Sequence, residues 1–88
     1  VAEVRLPTTL TPLFPGLPRR VEVEAATVLE AIDRLEARWP GLRDRLLEEG
    51  PALRRHLHVY VDGRRAELAT AVAPGSRLDV IAAISGGC

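Results

Sequence analysis

The sequence predicts an α+β fold, a mixed sheet of four to five strands covered on one face by one main helix plus a short second helix. Three observations predict it. Short stretches near both ends and in the second half of the chain alternate apolar and polar residues, as half-buried strands do. One longer stretch between them carries apolar residues at helical spacing behind a capping signal. Only one face of each strand is apolar, so a single helical layer suffices to bury the sheet.

The first strand runs from Ala2 to Leu6, with Ala2, Val4 and Leu6 on one face and Glu3 and Arg5 on the other. Pro7 ends easy ladder pairing. Thr8 to Pro18 holds three more prolines and Gly16 and reads as a loop, with Leu10, Leu13 and Phe14 tucked against the core. Arg20 to Glu24 alternates again with Val21 and Val23 inward, which makes the first two strands a hairpin with a long connection. Thr27-Val28-Leu29-Glu30 is a capping box: the Thr27 hydroxyl accepts from a free N–H, and Glu30 reaches back. Val28, Ile32, Leu35 and Trp39 follow at helical spacing with Leu29 beside them, and Trp39-Pro40-Gly41 stops the helix. Leu42 to Glu49 reads as the second short helix, closed by Gly50-Pro51.

Leu57, Val59 and Val61 alternate with His58 and Tyr60 in a third strand. Asp62-Gly63 is a tight-turn signal that sends the chain back through Arg64-Arg65 as a small hairpin arm. Pro74-Gly75 marks another turn. Arg77 to Ile84 is the last strand, with Leu78, Val80 and Ala82 inward and Arg77, Asp79, Ile81 and Ala83 outward. The expected organisation is one domain over residues 1–84 and a flexible tail over residues 85–88.

Composition narrows the function. At 88 residues and 47% hydrophobic content, one folded domain with a small core is expected. Twelve basic and twelve acidic side chains interleave to zero formal charge, which argues against broad binding to nucleic acid or an acidic membrane. One Trp, one Tyr and one Phe do not make a base-stacking surface. All twelve basic residues are Arg, so no ε-amine is present for Schiff-base chemistry or for attaching another copy of the chain. The single Cys allows no internal disulfide, no apolar run reaches membrane-spanning length, and a cytoplasmic protein is expected.

The residues do not suggest a self-contained enzyme. There is no glycine-rich phosphate loop and no zinc-ligand spacing. His56 and His58 fall on one outward strand face and could share a metal, but an exposed pair is the simpler reading, and no metal is expected. Ser85 has no evident base partner. The informative segment is Ser85-Gly86-Gly87-Cys88. Two glycines after a buried strand anchor poorly, and without Cβ atoms they can thread a narrow channel and leave a carbonyl open to attack.

Taken in order along the chain, Leu6-Pro7-Thr8-Thr9-Leu10, Leu35-Glu36-Ala37, His58-Val59-Tyr60-Val61-Asp62, Leu68-Ala69-Thr70-Ala71-Val72 and Ala83-Ile84-Ser85-Gly86-Gly87 carry a resemblance. The chain resembles the MoaD/ThiS family of ubiquitin-like sulfur carriers with a β-grasp fold, and within it most the CysO-type carriers of cysteine biosynthesis. The resemblance implies a carrier, not an enzyme. It implies that the Gly87 carboxylate is adenylated by a ubiquitin-activating-like enzyme using ATP and becomes a thiocarboxylate, with Ser85 and Gly86 threading the partner's channel. It further implies a pyridoxal-phosphate (PLP)-dependent cysteine synthase, or another sulfur acceptor enzyme, and a zinc metalloprotease of the JAMM type as partners. Adenylation supplies the leaving group that a carboxylate lacks, and tethering delivers the sulfur at high effective concentration.

Cys88 departs from the family pattern, because Gly87 has no free carboxylate while Cys88 is attached. Three readings stand: a cap removed by the metalloprotease, the cysteine product still amide-linked to the carrier, or an inert residue or expression artefact. An adenylating partner must also grip the body, and the outward face near the tail would offer His58, Tyr60, Ile81 and Ala83 for docking. The alternatives to a sulfur carrier are the small subunit of molybdopterin synthase, a ubiquitin-like protein modifier, and a passive ubiquitin-like binding domain.

Overall fold

The computed structural model describes residues 1–82. Ten elements follow one another: β1 (Ala2–Arg5), a 3-10 turn (Thr11–Leu13), β2 (Arg20–Val23), α1 (Val28–Arg38), α2 (Leu42–Leu46), β3 (Leu47–Glu48), β4 (Ala52–Leu53), β5 (Leu57–Val61), β6 (Arg64–Ala66) and β7 (Arg77–Ala82). The main sheet has the order β2-β1-β7-β5-β6. Only the β1–β7 pair is parallel. The first and last strands of the described chain therefore lie side by side in the middle of the sheet, and β7 has a neighbour on each edge.

The alternation seen in the sequence sets the inner face. Ala2, Val4, Val21, Val23, Leu57, Val59, Leu78 and Val80 are all buried and join Val28, Ala31, Ile32 and Leu35 of α1 in one cluster. Thr27 is extended at the start of α1 and its Oγ1 accepts from the Glu30 N–H at 3.1 Å. The return bond of the box is shifted by one residue, because Glu30 accepts from the Ala26 N–H at 3.0 Å. The next two free donors go to a remote segment. Val28 N–H donates to the Thr70 carbonyl and Leu29 N–H to the Leu68 carbonyl, while Val72 N–H donates to the Ala26 carbonyl. The Leu68–Val72 stretch is thus the seat of the helix N-terminus, satisfying donors that a helix start leaves free.

The second helix is shorter than its expected span of Leu42 to Glu49. It ends at Leu46, and Leu47–Glu48 turns extended to pair with Ala52–Leu53. The reason lies in the carbonyls. Arg54 N–H donates to the Leu46 carbonyl, and the Arg54 guanidinium donates to the Asp44 carbonyl at 2.8 and 2.6 Å. Those acceptors need no further helical turn, and Leu47 stays buried by entering the hairpin. Leu10 is buried and Phe14 packs on the core as expected, but Leu13 points out and is 50% exposed.

Two carboxylates brace the corners. Glu36 accepts from the Gly41 N–H and, at 2.8 Å, from the Arg43 N–H, fixing the α1–α2 corner, where Gly41 has φ +98°. Asp62 sits at φ +50° in the β5–β6 turn and accepts from the Arg77 N–H and the Ser76 hydroxyl, both at 2.9 Å. Those bonds favour the ionised form and hold the Asp62 carboxyl below the ordinary range.

Two predictions follow from packing and capping. Leu35 is fully buried at the centre of the helix face, so Leu35→Ala should cost about 2–5 kcal/mol in urea unfolding. Asp62→Asn should lower Tm at neutral pH. Because the folded-state pKa is depressed, the carboxylate's contribution is present above its unfolded value and lost as pH falls through the folded value. The wild-type advantage in Tm should therefore shrink below the ordinary carboxylate range.

Candidate functional site

The outward sheet face is ordered by register into rows across the strands. One row reads Arg20, Arg5, Asp79, Tyr60 and Arg65 from β2 to β6. The row on one side places Glu22 and Glu3 beside Arg77. On the other side, toward the end of β7, Ile81 stands against His58. Charges within the first two rows compensate. Arg5 Nε donates to Glu3 at 2.9 Å and Arg77 Nε to Asp79 at 3.1 Å. The Arg5 hydrogen bond, helped by the charges of Arg5, Arg20 and Arg77, holds the Glu3 carboxyl below its usual range. The last row carries no such pair.

A shallow depression of about 590 Å³ lies beside the end of β7. Tyr60, Ile81 and Ala82 line it from the sheet, and Pro7, Thr8 and Thr9 from the loop after β1. That loop is pinned: Leu6 N–H donates to the Arg19 carbonyl, and Leu10 N–H to the Pro7 carbonyl. Ile81 is 46% exposed and is one of three large apolar side chains left open among the described residues. A second depression is lined by Leu13, Arg45, Arg54, His56 and Ala82.

Of the four expected docking residues, the structure brings Tyr60 and Ile81 into one depression. His58 neighbours Ile81 by register but lines a different cavity, at the start of β5. Ala83 lies outside the described residues, as do Ile84, Ser85, Gly86, Gly87 and Cys88. His56 precedes β5 and lines a different depression from His58, so the two do not share the strand face expected for them. Among the described residues, no group of three or more His, Cys, Asp or Glu side chains is placed to hold a metal, and no helix is long and apolar enough to cross a membrane. Pro7, Thr8 and Thr9 stand out in the sequence only as part of Leu6-Pro7-Thr8-Thr9-Leu10. Their place beside Tyr60 depends on strand order, which no local pattern carries. The face offers a shallow depression, one exposed apolar side chain and a mixed-charge border.

A mixed five-stranded sheet wrapped on one main helix, with its last described strand in the middle, defines a ubiquitin-like β-grasp protein. A model of the ThiS family matches residues 4–87, and the chain belongs to that family of ubiquitin-like sulfur carrier proteins. The sulfur carrier protein CysO of Mycobacterium tuberculosis is 31% identical over 90 residues, covering 96% of each chain. Small archaeal modifier protein 1 of Haloferax volcanii is 36% identical over 69 residues, covering 77% of this chain and 79% of that one. Among solved structures, the BexX/CysO complex of Amycolatopsis orientalis contains a chain that superposes with a TM-score of 0.88 at 35% identity, covering 99% of this chain and 100% of that one. That relative is seen bound to another protein.

Ile81 is tested most directly by stability. Ile81→Thr keeps the β-branched shape and should change unfolding free energy by no more than about 0.5 kcal/mol, as expected of an exposed side chain. A larger loss in urea unfolding would place Ile81 in the core.

Proposed function

We propose that this chain carries sulfur on Gly87 and delivers it to a biosynthetic enzyme, in cysteine or secondary-metabolite formation. The observation that carries the reading is where the family match ends. It runs to Gly87 and leaves Cys88 outside, while the strand leading toward Gly87 is the middle strand of the sheet. A β7 held on both edges gives an enzyme a rigid handle for a group placed a few residues further on.

In the proposed cycle a zinc metalloprotease of the JAMM type first adds water across the Gly87–Cys88 amide, giving a Gly87 carboxylate and free cysteine. That step is the same whether Cys88 is an encoded cap or the attached product. A carboxylate oxygen then attacks the α-phosphorus of ATP on an activating enzyme and pyrophosphate leaves. Sulfide attacks the acyl-adenylate carbonyl and AMP leaves, giving the thiocarboxylate. Its sulfur displaces the leaving group of an activated serine derivative on a PLP-dependent enzyme, and an S-to-N acyl shift leaves cysteine amide-linked to Gly87. The body contributes recognition: Tyr60 and Ile81, with Ala83 following in sequence, form the docking face for the activating enzyme.

The relation to small archaeal modifier protein 1 supports a second reading, in which Gly87 is joined to lysines of other proteins. With no lysine of its own, the chain would add a single tag and build no chains.

Intact mass separates these readings. Protein from its native host should lose one cysteine residue when the metalloprotease is present and then exchange one oxygen for sulfur. A mass that keeps Cys88 and never gains sulfur would sink the carrier reading. Gly-Gly remnants on cellular lysines would favour the modifier. Gly87→Ala should reduce loading by about tenfold or more, because a Cβ next to the reacting carbonyl crowds the partner's channel. Its Tm should match the parent protein.

A further inference from the structure

We propose that the corner where β5 begins and β6 ends is a second docking surface, built to take a short acidic and partly apolar segment of a partner protein. A cavity of about 600 Å³ lies there, walled by Leu53, Arg54, Arg55, His58, Arg65 and Leu68. Its charge is one-sided. Three arginines converge from two separate stretches, and Glu67 is the only carboxylate in the lining. Arg54 is committed to the Asp44 carbonyl. Arg55 and Arg65 are exposed, and neither forms an ion pair among the described residues.

His58 adds an independent observation. Its Nδ1 is shielded from solvent and has no hydrogen-bond partner among the described residues. A buried polar group left unpaired is costly. A carboxylate that draws the ring round to pair this nitrogen relieves that cost, and the adjacent arginines supply the charge that holds the carboxylate there.

The apolar lining completes the specification. Leu53, Leu57, Ala66 and Leu68 give the cavity a hydrocarbon floor, which suits an apolar side chain between acidic ones. The cavity opens beside β6, an edge strand paired only to β5, whose outer backbone groups are available to an extended segment. Arg64 and Arg65 on that edge discourage pairing with a second copy of this chain and favour an acidic visitor. Ala82 does not line this cavity. A partner seated here leaves the end of β7 open to an enzyme, and the inference stands apart from the chemistry at Gly87.

Titration of the nitrogen-labelled full chain with a blocked Asp-Leu-Glu-Glu peptide tests the proposal by NMR. Saturable shifts are expected at the His58 imidazole and the Arg55 and Arg65 guanidinium signals. The neutral Asn-Leu-Gln-Gln peptide should bind about tenfold more weakly or worse, as should the acidic peptide to the Arg55→Gln, Arg65→Gln double variant. The variant's backbone spectrum should otherwise be unchanged, since both side chains are exposed. No saturable binding of the acidic peptide, equal binding of the neutral one, or full binding to the double variant would overturn the proposal. Displacement of the peptide by inorganic phosphate at equal concentration would also overturn it, by reducing the site to a general anion site. None of these failures bears on sulfur loading, which the intact mass reads separately.

Discussion

The parallel pairing of β1 with β7 is the constraint on which the rest of the structure depends. It joins the N-terminal strand to the strand at the other end of the described chain, so all the intervening elements are enclosed by one contact. Such a pairing costs loop-closure entropy before it is rewarded, and it needs supports at its start. They are present. Gly75 N–H donates to the Val1 carbonyl and Glu3 N–H to the Ser76 carbonyl, on the β1 side. On the β5 side, Asp62 N–H donates to the Arg77 carbonyl, and the Asp62 carboxylate takes the Ser76 hydroxyl and the Arg77 N–H. The beginning of β7 is clamped from both neighbours, and Ser76 is the buried polar residue at the centre of the clamp.

That asymmetry gives the segments behind the family resemblance a physical meaning. Leu35 is fully buried and Glu36 ties down the α1–α2 corner. Leu68–Val72 seats the N-terminus of α1 through its carbonyls. Asp62 closes the clamp. Leu6–Leu10 turns the chain beside the end of β7. Most of what makes the sequence resemble a carrier is therefore the frame that holds β7.

Much of this was legible from local pattern. Alternation located β1, β2, β5 and β7 and assigned the faces of Tyr60, Asp79 and Ile81, because a period of two fixes the side of the sheet. Thr27 and Glu30 placed the helix start. What local pattern could not supply was partner identity. Leu47 belongs to a hairpin because Arg54, several residues away, takes the carbonyls of α2. Leu13 satisfies a hydrophobic reading of its loop yet points outward. His58 and Tyr60 share a strand face, but β6 and the turn before β5 draw His58 into a cavity of its own. The meeting of Arg54, Arg55 and Arg65 depends on the β5–β6 register and has no signature along the chain.

On the proposed cycle, a small carrier that visits several enzymes in turn has to be recognised by each and released by each. Exchange of this kind is governed mainly by dissociation rates, so no single contact can be very tight. The described body suits that demand, with a radius of gyration of 12.1 Å and charges balanced over most of its sheet face. The depression at Tyr60 and Ile81 and the arginine-lined cavity at His58 lie on neighbouring parts of that body but use different forces, one apolar and one charge-led. Two modest and chemically distinct surfaces allow partners to be told apart without either binding tightly, because specificity is a difference of affinities. They also allow a partner at the β6 edge to stay attached while the end of β7 is exchanged between enzymes. Tethering of that kind raises the effective concentration of the carried group without adding a contact at the reacting atom.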